Sequence, residues 1–581
     1  MNTTWKFVVT GLAITLSLLA VFLFGGGAKV ETADLVLKNG KIVTIDAAKP
    51  EVQAIAVVGN TIKAIGSNKE IEAFIGPATK VIDLQGRLAV PGFIEGHGHF
   101  TSLGQSQMIL DLTKVKNWDE IVAMVAEAAG KAKPGAWILG RGWHQEKWNK
   151  PPEPNIEGLP THQELSKVSP NNPVYLTHAS GHASFANALA LQLAGIGANT
   201  PNPSGGEIVR DRSNQPIGML RETAQGMVRG AIAKYQAQRG AAEIQSEQIE
   251  QVRLAAEKAL SNGVTTFHDA GAPFSTIDLL KQLASEGKLP LRLYVMIRGE
   301  SNEILAEKLP HYRLINYADG HLTVRSIKRQ IDGALGPHGA WLLEPYTDKP
   351  ESTGLVLEPV EDITRTSELA IQYGFQVNTH AIGDRANREV LNIYEKVFRA
   401  HQDKKDLRWR IEHAQHLNPD DISRFAALGV IASMQGIHAT SDGAWVPKRL
   451  GEQRTQKGAY LWRTLWDSKV VVTNGTDTPV EDISPLESFY ATVARRLPDG
   501  TPFFPEQRLT REEALKSYTI NNAYAAFEEA VKGSLTPGKW ADIVVLSNDI
   551  MTVPEEQIHK TEVLYTIVGG KIVYQRSGKP N

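Results

Sequence analysis

Residues 91–99 read PGFIEGHGH, a short apolar run that ends in two histidines separated by one glycine. Residues two apart on an extended strand face the same side, so His97 and His99 can direct both imidazoles at one point. Neutral imidazole is a favoured ligand of Zn²⁺ and similar divalent cations. The pattern therefore predicts a strand with part of a metal site at its carboxyl end.

Seven further apolar runs follow this motif, each bounded by turn residues. With the first, the predicted strands cover residues 88–94, 264–268, 291–297, 326–331, 375–380, 409–413, 430–434 and 470–473. Eight strands that alternate with helical stretches predict an α/β protein with a (β/α)₈ TIM-like barrel. A doubly wound open sheet is the alternative, and the lack of a glycine-rich phosphate motif after the first run weighs against it.

Metal-ligating residue types recur where these runs end. His380 ends the fifth run, His413 ends the sixth, and Asp477 follows the eighth. The carboxyl ends of barrel strands meet at one mouth, so these side chains are expected to converge with His97 and His99. A single strand-end histidine is more often a packed or hydrogen-bonding residue. Five suitable residues on four runs nevertheless predict a metal centre.

The two chain ends differ from the middle. β-Rich runs at residues 35–44 and 54–65 surround Asn39-Gly40 and Gly59-Asn60, and runs at residues 541–546 and 565–574 repeat the pattern. Such turns between β-rich runs are hairpin signals. Because isolated hairpins bury too little to be stable, we predict one composite β-sandwich domain from residues 29–90 and 525–581. The alternative to a single composite domain is two unrelated β-structured extensions, one at each end of the chain.

The barrel is predicted over residues 91–524, with a long connection after its first strand. That connection exceeds an ordinary loop, so we predict an inserted subdomain over residues 105–245 at the mouth of the barrel. Its aromatic and polar residues are candidates for the substrate pocket, namely Trp143, His144 and Trp148. An ordinary subdomain core is the alternative for the two tryptophans.

Composition and charge exclude several classes of protein. The 581 residues are 42% hydrophobic and 22% charged, which excludes a disordered or polytopic membrane protein. A net charge of −2 provides no basic excess for nucleic acid or anionic lipid. Cysteine is absent, which excludes disulfides, thiolate nucleophiles and Cys-ligated zinc.

The first 28 residues contain the one membrane-like segment of the sequence. Lys6 precedes an uncharged apolar run at residues 7–24, and small residues follow up to Ala28. This pattern predicts a signal peptide over residues 1–28, with an uncleaved membrane anchor as the alternative. Either places the rest of the chain outside the cytoplasm, in the periplasm or the extracellular space, with this segment as its sole membrane contact.

The motifs along the chain resemble the amidohydrolase superfamily, in the branch that contains N-substituted formamide deformylase. Besides residues 91–99, the similar motifs are GRGWHQEKW (140–148), HASGHASFANALAL (178–191), GVTTFHDAG (263–271), IDGALG (331–336), NTHAIGD (378–384), RIEHAQ (410–415), SMQGIHATSD (433–442), NGTDTPVEDISP (474–485) and GSLTPGKWADIVVL (533–546). They cover nearly all of the chain after residue 33. They are specific for the family and only weakly specific for the substrate.

The resemblance implies one or two divalent cations per chain, with zinc expected. His97, His99 and Asp477 would bind a first cation, and His380 and His413 a second. Many relatives carboxylate a lysine on the fourth strand so that it bridges two cations, and Lys328 matches that position. An unmodified ammonium cannot ligate a cation, so the alternative for Lys328 is an interior lysine paired with a carboxylate.

The activity implied by the resemblance is hydrolysis of a C–N bond in a small linear amide, N-substituted formamide or carbamate by a metal-activated hydroxide. Asp477 would move the proton, and His182 or His268 would hydrogen-bond the oxyanion. For His268, a loop residue fixed by the adjacent Asp269 is the alternative. Three later residues complete the predicted substrate pocket: His338, Gln435 and His438. The loop around His338 departs from the family pattern.

Three other functions compete with amide hydrolysis. The first two are a mononuclear deaminase and a phosphotriesterase-like hydrolase of the same superfamily. Deaminases usually place a glutamate a few residues after the histidine of strand five, and none follows His380 at that spacing. The third is an exported binding protein without catalysis, against which the complete set of ligands weighs. The sequence leaves a homodimer open.

Overall fold

A computed structural model describes residues 31–577. The predicted signal peptide or anchor over residues 1–28 lies outside the described residues. Within the described part of the chain, no helix combines the length and the apolar character needed to cross a bilayer.

The centre of the protein is a barrel of eight parallel strands whose order in the sheet follows their order in the chain. The strands are Phe93–Gly98, Val264–Ala272, Arg292–Ile297, Leu322–Gln330, Gln376–Ala381, Arg410–His413, Ile431–Gln435 and Val472–Gly475. The fold is therefore the predicted α/β barrel rather than an open doubly wound sheet. Leu314–Asn316 adds a short antiparallel strand beside the fourth barrel strand.

The barrel closes between its first and last strands. The side-chain amide of Asn522 donates to the carbonyls of Ile94 and Asn474, at 2.6 and 2.8 Å, and so joins the two strands. A Cβ at Gly96 would lie 2.4 Å from the carbonyl oxygen of Asn474, so only glycine permits this approach.

Amphipathic helices cover the outside of the barrel. Helix Asp384–Ala400, for example, buries Val390, Tyr394 and Val397, which recur at the spacing of one helical face. The other helices of this region are Phe100–Ser106, Ala241–Ser261, Phe274–Ser285, Asn302–Tyr312, Tyr317–Gly320, Val360–Tyr373, Ile422–Leu428, Gly436–Asp442, Val446–Leu450, Glu452–Gly458, Trp462–Asp467, Pro485–Ala494, Arg511–Tyr518 and Ile520–Ala525. Short 3₁₀ turns lie at Pro419–Asp421 and Pro505–Gln507.

Strands from both chain ends form two sheets that pack around a shared apolar core. One sheet orders Thr61–Gly66, Ala54–Val58, Leu35–Lys38 and Lys80–Asp83. The other orders Lys571–Gln575, Val563–Val568, Ile543–Leu546, Leu88–Pro91, Lys41–Val43 and Glu51–Val52. Helices Asn68–Glu72 and Glu555–Ile558 flank these sheets. Because Leu88–Pro91 pairs with Ile543–Leu546, the two ends of the chain share one sheet.

Two sequence predictions in this region are wrong in detail. Residues 88–94 were expected to be one barrel strand, but Leu88–Pro91 belongs to the composite sheet and the barrel strand is Phe93–Gly98. Residues 35–44 were expected to be a hairpin, but Leu35–Lys38 and Lys41–Val43 enter different sheets. The turn at Asn39 exists, with φ of 58°, yet burial of the two strands in separate sheets overrides local pairing. The hairpins at residues 54–65 and 565–574 are confirmed.

The connection after the first barrel strand folds around its own six-stranded sheet, ordered Leu110–Asp111, Ile138–Trp143, Val174–His178, Ala183–Ala186, Pro216–Glu222 and Gly206–Arg210. Helices Trp118–Lys131 and Gln163–Val168 pack on one face of this sheet, and Ala188–Leu193 and Gln225–Gln236 pack on the other. Smaller elements are Gln145–Lys147, Asn155–Ile156 and Leu159–Pro160. Loops at the ends of its strands reach the mouth of the barrel.

Candidate metal centre

Three buried side chains meet at the carboxyl ends of the first, sixth and eighth barrel strands. His97, His413 and Asp477 each place one potential ligand atom within 4.8 Å of the others. Asp477 Oδ1 lies 3.6 Å from His97 Nε2 and 3.2 Å from His99 Nε2. The imidazole ring of His380 lies 4.4 Å from that of His413, between ring centres. The structure therefore brings together all five predicted ligands, and it groups His413 with His97 and Asp477 rather than with His380 alone.

Backbone conformation directs two of these side chains into the centre. His413 and Asp477 have φ values of 77° and 56°, in the left-handed region that non-glycine residues rarely adopt. Each lies at the end of its strand. There, this conformation changes the direction of the side chain from the one that the alternating faces of a strand would give it. Strained backbone of this kind often occurs at functional sites. The backbone N–H of Asp477 donates to the carbonyl of His97 at 2.8 Å and fixes the two chain segments together.

Neighbouring side chains fix which nitrogen of each histidine faces the centre. Nδ1 of His97 contacts a carboxylate oxygen of Glu412, and Nδ1 of His413 lies 2.9 Å from the amide oxygen of Gln435. Both partners accept hydrogen bonds, so each Nδ1 carries the proton and each Nε2 keeps its lone pair. Glu412 is held in turn by Arg410, whose Nε lies 2.7 Å from Oε1. This arrangement is typical of the outer shell of a metal site.

The buried atoms at the centre lack hydrogen-bond partners of their own. Within residues 31–577, His97 Nε2, His380 Nε2 and Asp477 Oδ1 are buried and accept or donate no hydrogen bond. Buried polar groups are normally satisfied, so such a convergence indicates a missing binding partner. Two imidazole nitrogens and a carboxylate oxygen are a donor set that suits Zn²⁺ and related divalent cations. The residues present therefore fit a metal ion.

The protonation states of the ligands also suit a cation. Burial lowers the pKa of His99 to about 4 and lowers those of His380 and His413 well below the usual value, which keeps their rings neutral. Burial alone would raise the pKa of Asp477. The contact with His99 and the adjacent imidazoles of His97 and His413 outweigh this effect and hold its pKa well below the usual range. Neutral imidazoles and an ionised carboxylate are the forms that bind metal.

Lys328 lies on the fourth barrel strand and is 2% exposed. Burial, followed by the nearby charge of Arg298, lowers its pKa to about 7. Within the described residues its Nζ pairs with no carboxylate, so the alternative of a simple interior ion pair is not what the structure contains. A substantial fraction of this amine is therefore neutral near pH 7. The neutral amine is the form that reacts with CO₂, because carboxylation needs the lone pair of the nitrogen.

A narrow cavity of about 50 Å³ borders the centre, and its walls come from the barrel and from the inserted subdomain. His380, His413 and Asp477 line it on one side, and His144, His182 and His438 line it elsewhere. Nδ1 of His182 donates to Glu222 at 2.8 Å, which leaves Nε2 for a ligand. The side-chain amide of Gln415 lies 2.9 Å from Nδ1 of His438, and Nε2 of His438 is buried without a partner.

Two predicted roles near the centre need correction. His268 does not line the cavity. It is fully buried, and Arg410 Nη1 donates to its Nδ1 at 3.3 Å, so its place in the fold does not support contact with an oxyanion in that cavity. Gln435 is buried and bonded to His413, so it orients a ligand and does not line the substrate cavity.

Three other predicted pocket residues also lie away from the narrow cavity. Trp143 is fully buried in the core of the inserted subdomain, where its indole N–H donates to the carbonyl of Leu176 at 3.0 Å. Trp148 packs against the same core and lines a separate, outer cavity. His338 lines that outer cavity as well, 3.1 Å from Asp348. Of the three residues predicted from the insertion, only His144 reaches the narrow cavity.

Sequence reasoning missed the residues that orient the histidines. Arg410 and Glu412 are two residues apart on the strand that ends at His413, so both side chains lie on the same face of that strand. This spacing is a signal that would have placed both inside the barrel. Glu222 and Gln415 had no comparable signal, because their partners His182 and His438 are distant in the chain and join them only in the fold.

The sequence matches the model of one protein family over most of its length. Residues 80–574 match the model described as "Amidohydrolase family". The chain is 30% identical to N-substituted formamide deformylase of Arthrobacter pascens, over 94% of this chain and 99% of that protein. It is 36% identical to Protein LONG AFTER FAR-RED 3 of Arabidopsis thaliana, over 93% of this chain and 92% of that protein.

A solved structure has the same architecture. The crystal structure of a metal-dependent hydrolase from Pyrococcus horikoshii superposes with a TM-score of 0.70 at 26% sequence identity. The alignment covers 90% of this chain and 99% of that chain. The likeness extends over the barrel and the domains that flank it.

Proposed function

The chain belongs to the amidohydrolase family, and from that premise we propose that it hydrolyses a C–N bond in a small linear amide, an N-substituted formamide or a carbamate. The observation that carries this proposal is the convergence of His97, His413 and Asp477 beside a narrow cavity, where ligand atoms of His97, His380 and Asp477 are buried without a partner in the described residues. The near full-length similarity to N-substituted formamide deformylase supports the substrate class.

We propose that His97, His99, His380, His413 and Asp477 hold one or two divalent cations. A bound cation of this kind lowers the pKa of water and polarises a substrate carbonyl. Lys328, if carboxylated, would supply further oxygen ligands, and its buried amine, whose pKa is lowered to about 7, supports that modification. Zinc suits the nitrogen and carboxylate donors.

The protein's own residues would move the proton and stabilise charge. Asp477 Oδ1 lies among the histidine nitrogens, so its second oxygen can accept a proton and pass it to the leaving nitrogen. His438, whose Nδ1 accepts from the Gln415 amide, presents an Nε2–H donor to the cavity. His182, whose Nδ1 donates to Glu222, would donate through Nε2 only as an imidazolium, a form that the Glu222 carboxylate favours. A positioned donor at a developing oxyanion contributes about 100- to 1,000-fold to such reactions.

The first experiment is to count metal ions and then to test amides. The chain is purified without chelator, metals per chain are measured by elemental analysis, and Lys328→Ala is measured in parallel. Bound divalent cations together with amine release from N-substituted formamides, acetamides or carbamates would support the proposal. Retention of metal without hydrolysis of any member of the panel would contradict it, as would failure to bind zinc or manganese.

We also propose that the chain is exported, because residues 7–24 have the uncharged apolar pattern of a signal peptide or anchor. Fractionation of cells that produce the full-length chain tests this. Recovery of all activity in the cytosolic fraction would refute it.

A further inference from the structure

A second, larger cavity adjoins the metal centre. Its volume is about 640 Å³, and His99 and His182 form part of its wall. Three arginines also line it: Arg141, Arg229 and Arg298. The narrow cavity and this larger one share Ser180, His182 and Val480 as a common wall, so both open onto the same group of ligands.

The three arginines come from separate elements of the fold. Arg141 lies on strand Ile138–Trp143 of the inserted subdomain, and Arg229 lies on helix Gln225–Gln236 of the same subdomain. Arg298 directly follows the third barrel strand. Three independent elements thus direct guanidinium groups into one cavity, which a run of basic residues on a single helix would not do.

None of the three guanidiniums pairs with a carboxylate within residues 31–577. Arg141 donates to the carbonyls of Pro479 and Ala179, at 3.2 and 2.9 Å. Arg229 donates to Tyr175 and Gln225, and Arg298 donates to Gln330 at 2.6 Å. All of these acceptors are neutral oxygens. The Nη1 atom of each arginine makes no hydrogen bond in that part of the chain, so each retains a donor for a ligand.

The carboxylates that line this cavity already have partners. Glu222 accepts a hydrogen bond from His182, and Glu358 accepts one from the backbone N–H of Gln330 and lies 3.5 Å from Arg329. The cavity therefore has an excess of positive charge. Burial lowers the pKa of Arg141 to about 10, against the charge of Asp477, and the charge of Arg229 acts in the same direction as burial. An anion between the guanidiniums would relieve this repulsion.

We propose that the larger cavity is an anion subsite and that the substrate bears a carboxylate at the end remote from the scissile bond. This rests on the proposed function, since it places the rest of an amide substrate beside the same metal centre. The guanidinium fork matches a carboxylate in shape and charge and binds it through two hydrogen bonds. The narrow cavity accepts only a small group, such as a formyl or acetyl group, since a single water needs about 10–15 Å³.

The test compares substrates that differ only in charge. N-formyl-β-alanine and N-formyl-γ-aminobutyrate are each assayed against their methyl esters, and the ratio of kcat/KM for acid and ester is determined. The acid should be favoured by about 10-fold or more in the wild-type enzyme. Arg229→Gln, at the rim of the cavity, should reduce the ratio by about 10-fold. Arg253→Gln removes an exposed arginine outside the cavity and should leave the ratio unchanged.

A binding measurement separates this proposal from the proposed function. Glutarate should raise the thermal unfolding temperature of the wild-type protein and should do so much less in Arg229→Gln, whether or not any amide is hydrolysed. This result without hydrolysis would support the anion subsite and contradict the proposed activity. Equal kcat/KM for acid and ester, or a glutarate effect that Arg229→Gln and Arg141→Lys both leave intact, would overturn the anion subsite.

Discussion

The amide oxygen of Gln435 lies 2.9 Å from Nδ1 of His413, on the side of the imidazole that faces away from the metal-ligand cluster. Because the amide oxygen can only accept, it fixes the proton on Nδ1 and leaves Nε2 for a cation. His97 has the same relationship to Glu412. Two of the clustered ligands are thus oriented by side chains of other barrel strands, His413 by the seventh strand and His97 by the sixth.

Gln435→Leu should weaken metal binding without unfolding the protein. The substitution keeps the volume of the side chain but removes the acceptor, so His413 is free to rotate and to change tautomer. Loss of such an outer contact typically weakens metal affinity by about 10- to 100-fold. Competition with a chromogenic chelator measures the change. Gln402→Leu, on an exposed turn, is the matched control. Metal affinity equal to that of the wild type would show that Gln435 does not orient His413.

Glu222→Gln should lower kcat while metal content and KM stay close to the wild-type values. Glu222 contacts Nδ1 of His182 at 2.8 Å, and His182 is not among the clustered ligands. The variant loses the charge that orients the ring, so its effect should be smaller than the loss of about 100-fold or more expected for His182→Ala. Steady-state kinetics on a formamide substrate, with metal analysis of each preparation, tests this. A parallel loss of metal would instead assign His182 to the ligand set.

The barrel and its ligands were accessible to sequence reasoning because both depend on local patterns. A short apolar run that ends in a polar residue marks a strand end, and a barrel brings all such ends to one mouth. The errors arose where distant contacts override a local signal. Asn39-Gly40 forms a turn, yet the flanking strands separate into two sheets. Trp143 is of a residue type that often lines substrate pockets, but its neighbours in the fold bury it completely.

The orienting residues were harder to predict because their partners are far away in sequence. Glu412 is separated from His97 by more than three hundred residues, and Glu222 from His182 by forty. Only the strand register and the docking of the inserted subdomain bring these pairs together. The three arginines of the proposed anion subsite were hard to predict for the same reason, since no spacing in the sequence connects Arg141, Arg229 and Arg298.

Asp542→Asn should strongly destabilise the protein. Asp542, beside the composite sheet, accepts two hydrogen bonds from Arg292 of the third barrel strand, at 2.8 and 3.1 Å, and both side chains are almost fully buried. Removal of one partner from a buried ion pair leaves an uncompensated charge and costs about 3–5 kcal/mol. Urea unfolding followed by tryptophan fluorescence measures the loss.

The control for this prediction is an ion pair that is more exposed. Lys41 and Asp549 also approach to 2.7 Å, but their side chains are 28% and 24% exposed. Asp549→Asn should therefore cost about 0–1 kcal/mol. Similar losses in both variants would mean that the pair between Arg292 and Asp542 does not act as a buried link between the barrel and the composite domain.

Glu513→Gln should destabilise the protein in a manner that depends on pH. Glu513 caps its helix through Thr510 and pairs with Arg463. Burial alone would raise its pKa, but these contacts outweigh burial and lower it from 4.5 to about 2. The unfolded chain thus binds more protons than the native one between these values. The stabilisation is complete above the unfolded value and disappears as the pH falls through the native one.

Unfolding free energies of the wild type and Glu513→Gln, measured from neutral to acidic pH, should therefore differ most at neutral pH and converge progressively as the pH falls from 4.5 to about 2. Glu512→Gln, in the same helical turn, removes one exposed charge that contacts Lys516 and controls for general effects of charge on the helix. A difference between wild type and Glu513→Gln that stayed constant with pH would mean that the contacts with Arg463 and Thr510 do not favour the ionised carboxylate. Volume and packing changes would then be the cause of the destabilisation.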